Sequence, residues 1–192
     1  MNKDKIIECF KKHNGWLKSK EFNYQPPVYT ILNDMIAVGE VQKVKNGLYQ
    51  YLSLGNYNEL ENLAMLYPNA VLCLFSAWHY YELSTTIPFQ HHLAFEHKSN
   101  PQIRDYPPVK PYYWSQMQFE LGIVQHQKIK IYNLEKCVCD AVKFRNKVGE
   151  EITLEVLKNY MQSKARNIEK LMLYAKQMRI EKIINPLLKS ML

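Results

Sequence analysis

Glycine is scarce in this chain, with six in 192 residues. None falls in a G-x-G-x-x-G or Walker-type loop, so the usual backbone cradles for nucleotide phosphates are missing. Neither G-x-S-x-G nor H-E-x-x-H occurs, which removes the nucleophile-elbow and zincin routes to hydrolysis. The Gly-Ser pair with following paired aspartates that a nucleotidyltransferase needs is also absent. Cysteine is limited to Cys9, Cys73, Cys137 and Cys139. Their spacing fits neither a disulfide framework nor a zinc knuckle, so reduced core or helix thiols are expected. No apolar run approaches membrane-spanning length, and Asn2-Lys3-Asp4-Lys5 leads into no signal-peptide core. We therefore expect a cytoplasmic chain without a membrane partner, and a non-enzyme with no catalytic residue, metal or cofactor.

What is present is an ordinary globular composition, 47% hydrophobic and 22% charged, rich in tyrosine, with a net charge of +7. The positive charge is not confined to one end. Through Asn58 eight lysines outweigh five acids; beyond it 17 basic residues outweigh 13 acidic ones. Phosphate attraction is a reasonable partner hypothesis for such a bias.

The first 53 residues read as a winged helix-turn-helix. Asp4–Lys12 places Ile6, Ile7 and Phe10 at helical spacing. Gly15 ends that helix, Leu17–Phe22 has room for a short second one, and Pro26 starts a third that runs to Val38 and stops at Gly39. Two strand-like runs, Glu40–Val44 and Leu48–Tyr51, flank Lys45-Asn46-Gly47, whose Asn-Gly pair is a strong hairpin signal. Ser53–Asn58 is a polar connector, and residues 59–192 form a second, larger domain. The expected class is α+β: a small mixed or antiparallel sheet in the second domain, then a C-terminal helical bundle.

In that domain Asn58 can cap a helix over Glu59–Leu66, with Glu61 completing a capping box. Ala77–Leu83 predicts a helix. Ile87–His97 alternates as a strand, with Ile87, Phe89, His91, Leu93, Phe95 and His97 on one face. Asn100–Pro111 carries four prolines and reads as a loop. Strands are expected at Tyr112–Gln116, Phe119–His126 and Lys128–Tyr132. Asn133 can cap a helix to Arg145, followed by amphipathic helices Leu154–Met161 and Asn167–Arg179. An apolar stripe from Ile183 to Met191 contains Pro186, which must kink or begin its helix.

Chemistry-bearing residues cluster in the N-terminal module. A recognition helix places its early residues in the major groove, here Gln25, Tyr29, Thr30 and Asn33. Gln and Asn can bond adenine edges, and Thr or Tyr can reach phosphate or a thymine methyl. That helix has no Lys or Arg, so phosphate contacts would fall to Lys43 and Lys45 on the wing and to Lys18 and Lys20. A winged helix used for protein contacts is the alternative. Lys164, Arg166, Lys170, Lys176 and Arg179, with Lys182, form a possible secondary basic surface or a solvated helix face. His91 and His97 lie about 20 Å apart along one strand, too far to share a metal. Asp140, with Lys136 four residues before and Lys143 three after, reads as part of helix-surface ion pairs; alternatively Asp140 or Glu135 faces the sheet and holds a buried partner.

Several segments, in order, resemble the AbiEi-type antitoxins of type IV toxin–antitoxin and abortive-infection systems. They are Gly47-Leu48-Tyr49 after the wing turn; Tyr67-Pro68-Asn69-Ala70-Val71; Ser76-Ala77; and Leu83-Ser84. Gly122-Ile123, Ile131-Tyr132-Asn133-Leu134-Glu135-Lys136, Asp140, Arg145 and Leu154–Tyr160 follow. Cys137 stands where that family often has Thr. The resemblance implies a transcriptional autorepressor whose winged helix binds inverted repeats in promoter DNA. It also implies a C-terminal domain that counteracts a nucleotidyltransferase-type toxin without necessarily forming a stable complex. The alternative is a protein-interaction module that binds a partner through the C-terminal domain and no DNA.

Overall fold

Asn2 opens the first helix by accepting a hydrogen bond from the Lys5 backbone N–H, which satisfies one of the donors a helix start leaves free. In the computed structural model, which describes residues 2–22, 26–52, 59–104, 106–126 and 128–191, α1 (Lys3–Lys12) turns Ile6 and Phe10 inward. Asn14 and Gly15 then adopt positive φ, and the chain turns into β1 (Trp16–Lys18), a 3₁₀ turn at Ser19–Phe22, and α2 (Pro26–Ala37). The hairpin of β2 (Val41–Lys45) and β3 (Leu48–Tyr51) follows, in a sheet ordered β1-β3-β2. The helix expected over Leu17–Phe22 is therefore corrected. Trp16 and Leu17 are both buried, and β1 pairs antiparallel with β3. The ladder satisfies this backbone, leaving only the four residues of the 3₁₀ turn to coil.

Ile6, Phe10, Leu17, Val28, Leu32, Met35, Val41 and Tyr49 make one core, and Phe10 stacks on Tyr51 at 5.5 Å. The chain divides into two compact units, Met1–Glu59 and Leu60–Leu192. The Ser53–Asn58 connector and its Asn58 cap lie outside the described residues.

The second unit continues α3 (Glu59–Leu66), β4 (Val71–Leu72), α4 (Leu74–Tyr80), β5 (His91–Glu96), β6 (Val109–Trp114) and α5 (Gln116–Glu120). Then come β7 (Ile123–His126), β8 (Ile129–Tyr132), α6 (Leu134–Lys143), α7 (Arg145–Val148), α8 (Glu150–Gln162), α9 (Ile168–Gln177) and α10 (Glu181–Lys189). The sheet order is β6-β5-β4-β8-β7. It is mixed: β4–β8 and β5–β6 run parallel, β4–β5 and β7–β8 antiparallel. The molecule is thus α+β, with small sheets and a helical C-terminal region.

Several boundaries differ from the sequence reading. The strand expected from Ile87 begins only at His91, and His92–Phe95 are buried without alternation, because β5 is an inner strand covered on both faces. The proline-rich loop yields to β6 at Val109. The backbone N–H groups of His91 and His97 donate to the Pro108 and Trp114 carbonyls. In a parallel ladder alternate residues bond to opposite sides, so Pro111 turns its donorless nitrogen outward and blunts the sheet edge. The strand expected over Phe119–His126 is split by α5 and by Gly122 at φ +76°. Pro186 lies inside α10 rather than at its start.

Asn133 caps α6 by accepting from the Lys136 N–H at 3.0 Å. α6 contacts α4, α8, α9 and α10, and every residue from Glu135 to Val142 is buried. Among the described residues no helix is long and apolar enough to cross a membrane.

Candidate functional site

In the first unit the candidate surface is built on α2 and the hairpin. Val28, Leu32 and Met35 are buried, so helical geometry turns Thr30, Asn33 and Asp34 to solvent. Tyr29 is half-buried, and Gln25 lies outside the described residues. The exposed face of α2 offers hydrogen-bonding groups, one acid and no base. The acid is Asp34, which its four-residue spacing from Thr30 places on the same face.

The lysines belong to the sheet. Lys18 on β1 and Lys45 on β2 are both registered with Leu48 on β3. Directly opposed residues share a face, so the two lysines flank Leu48 at about 10 Å, twice the inter-strand spacing. The Ser19 N–H donates to the Gly47 carbonyl at 2.8 Å, which ties the 3₁₀ turn carrying exposed Lys20 to the hairpin tip. Gly47 has φ +74°, and a Cβ there would meet Ser19 Oγ at 2.7 Å, so the contact requires glycine. Lys43 is registered with Tyr49 and falls on the opposite face, and a register shift separates it from Lys45. Lys18, Lys20 and Lys45 therefore gather at one end of the sheet and Lys43 stands apart.

In the second unit the expected secondary basic surface is divided. Lys164 and Arg166 are exposed before α9, and Lys176, Arg179 and Lys182 are exposed at or beyond its other end, about 15 Å away along a ten-residue helix. Lys170 is engaged, its Nζ lying 3.3 Å from Glu135 Oε2. Glu135 also accepts from Asn167 N–H at 3.2 Å and Tyr160 Oη at 3.3 Å.

Of the two sequence readings of Asp140, the surface ion pair is overturned and the inward-facing carboxylate with a buried partner holds, the partner being Lys136. Lys136 Nζ donates to Asp140 Oδ1 and Oδ2 at 2.6 and 2.7 Å, and the side chains are 0% and 1% exposed. The ammonium also sits 4.1 Å from the Trp114 ring centroid and 4.3 Å from that of Tyr132. These two rings stack at 5.1 Å. Desolvating both charges is costly, and a bidentate contact with two aromatic faces offsets part of that cost. Burial pushes the Asp140 carboxyl up from 3.8 to about 6, outweighing the pull of Lys136. The i,i+4 spacing was visible in sequence; the lid of Trp114, 22 positions away, was not.

His92 is likewise internal. Its Nδ1 lies 2.9 Å from Tyr112 Oη, and burial, then Lys110, lowers its pKa to about 4, which keeps the ring neutral at pH 7. Among the described residues no group of His, Cys, Asp and Glu could hold a metal ion, and the described cysteines are free thiols. Glu155 on α8 accepts from Ser84 Oγ, Thr85 N–H and Thr85 Oγ1 at 2.9, 2.7 and 2.8 Å. It holds the segment leading to Ile87 against that helix. Ile87 and Phe89 are 71% and 98% exposed.

No protein-family model matches the chain, and a search of curated proteins finds no match.

Proposed function

We propose that the chain is a DNA-binding autorepressor and antitoxin of the AbiEi type. The first unit acts as a winged helix: α2 is its recognition helix and the β2–β3 hairpin its wing. The second unit counteracts a nucleotidyltransferase-type toxin. The observation that carries the DNA reading is the pairing of Lys18 and Lys45 across Leu48, with Lys20 tethered beside them. Phosphate contacts fix register while base edges give specificity. This module divides the tasks, with cations on the sheet end and Thr30 and Asn33 on the helix. A helix face without bases binds weakly alone, so paired half-sites on inverted repeats would multiply its affinity.

The test is binding of the full chain to its own promoter fragment and to random DNA across a salt series. Preferred, salt-dependent promoter binding is expected, and it should be lost on replacing Lys18 and Lys45 by Glu. Equal affinity for both DNAs at low salt would remove the repressor role. The antitoxin role is tested by co-expression with the adjacent gene product. Full-length protein carrying the two Glu substitutions should still rescue growth while failing to repress.

The exposure of Ile87 and Phe89 favours one second reading, a partner-binding module that uses no DNA. A stable complex with the adjacent gene product, together with absent promoter binding, would select it.

A further inference from the structure

An open cleft of about 640 Å³ runs along the outer side of α8 in the second unit. Leu154, Lys158 and Met161 line it as a single helical stripe, joined by Gln162, Arg166 and Met191. Leu154 and Met161 lie seven residues apart, two turns, so the stripe extends about 10 Å along the axis. Leu154 is 44% exposed, and the two methionines give an apolar surface that adapts to its occupant. Lys158 and Arg166 are both exposed. Glu155, the cleft's acid, faces the other end and is committed to Ser84 and Thr85. The groove therefore has an apolar centre and a polarity: positive from Lys158 to Arg166, without a competing carboxylate among the lining residues there.

We infer that this cleft docks an acidic amphipathic helix of a partner protein. Helix-in-groove recognition needs apolar anchors at i and i+3 or i+4, and the Leu154–Met161–Met191 surface accommodates two such side chains. Lys158 on α8 and Arg166 in the turn that follows that helix present two cations to carboxylates of the guest. The charge complementarity gives direction as well as attraction, placing the acidic end of the guest toward Arg166.

The test is fluorescence anisotropy of the full chain with a labelled helical peptide of about sixteen residues, bearing Glu residues on either side of a Leu-Leu pair. Isosteric Gln and charge-reversed Lys peptides serve as controls. The Glu peptide should bind at least tenfold more tightly than the Lys peptide at low salt. Lys158→Glu with Arg166→Glu should invert that preference, and Met161→Asp should weaken every peptide. Circular dichroism should show the variants folded, since Lys158 and Arg166 are surface residues. Equal binding of the Glu and Gln peptides, or no change in the doubly reversed variant, overturns the proposal. So does sedimentation showing a dimer that Met161→Asp dissociates, because a second copy would then be the occupant. Displacement of the Glu peptide by dodecanoate but not by the unlabelled peptide would assign the cleft to single-chain amphiphiles and overturn it too.

Discussion

The two units put their charges to opposite uses. In the first, an apolar cluster runs from Ile6 to Tyr49, and the lysines on α1, the sheet and the 3₁₀ turn are exposed or half-buried. In the second, a lysine, two carboxylates and a histidine are enclosed: Lys136, Asp140, Glu135 and His92 are each at most 7% exposed. A small domain cannot pay the desolvation of a buried charge from a core of its size. A larger one can, provided every charge finds partners, and α6 supplies them along its whole length. The lesson is about function as well as stability. The lysines of the first unit lie outside its core, whereas the most chemically suggestive pair in the second is consumed by its own architecture.

The largest effect should come from breaking the enclosed pair. Lys136→Met leaves Asp140 buried without its partner and should cost the second unit about 3–5 kcal/mol, measured by urea unfolding followed at Trp78 and Trp114. The first unit's unfolding should be unchanged. Combining Lys136→Met with Asp140→Leu should recover most of the loss, since apolar replacements remove both desolvation penalties. The pH dependence has a definite sign. The folded state holds the Asp140 proton to about 6, against 3.8 ordinarily, so raising the pH through that window costs stability. The double variant should lack this slope.

Gly122 sharpens the same contrast. Its φ is +76°, and a Cβ would come within 2.7 Å of Lys136 Cβ and 3.1 Å of Asn133 Oδ1. Gly122→Ala should therefore destabilise the second unit by about 2 kcal/mol through backbone strain and displacement of the α6 cap. Gly39 has a similar φ, +74°, but no atom within 4 Å of a built Cβ. Gly39→Ala should cost only about 1 kcal/mol, and in the first unit. Equal thermal shifts for the two would show that contacts at the Gly122 site carry no weight.

These contrasts mark what could be read from the sequence. The first unit's helices and hairpin were legible because α1, α2 and the Asn-Gly turn are local signals: periodicity, Pro26 at a helix start, Gly39 at a helix end. Its second helix was misread because Trp16–Lys18 is decided by pairing with β3, a partner some thirty residues away. In the second unit Asn133 correctly announced α6, but the sequence left its charged face open between a solvent-exposed and a buried reading. Lys136 and Asp140 carry the polar pattern of a surface helix and are buried by tertiary packing from α8, α9 and the sheet. Likewise, the lysine candidates were identifiable by type, while the grouping of Lys18 with Lys45, and the separation of Lys43, follow only from register.

A moderate effect is expected at the half-buried lysines beside Leu48. Lys18→Gln and Lys45→Gln should leave unfolding within about 0.5 kcal/mol of the parent. Each should lower the slope of log K against log salt for promoter DNA by about 0.9 if it meets one phosphate. Lys43→Gln should change that slope less if binding occurs on the Lys18–Lys45 side. An equal loss at Lys43 would mean that both faces of the hairpin meet DNA.

The smallest effect concerns Glu155, and its sign opposes that of Asp140. Burial raises the Glu155 pKa, but the Thr85 N–H, Thr85 Oγ1 and Ser84 Oγ donors outweigh it and hold the carboxyl below its ordinary value. The ionised form is therefore favoured by folding. Its contribution is fully present above the ordinary Glu range near 4.5 and is lost as pH falls through the lowered value. Because the group is partly exposed, solvent screening limits the effect, and Glu155→Gln should cost about 0.5 kcal/mol at pH 7 and less at pH 3. Hydrogen exchange at the Thr85 amide should report the change more sharply than global unfolding, since that N–H donates directly to Glu155 Oε1. Faster exchange at Thr85 in the variant, with the amides of α6 unchanged, would place this link in the outer shell of the second unit. Simultaneous acceleration in α6 would instead join it to the enclosed charge network.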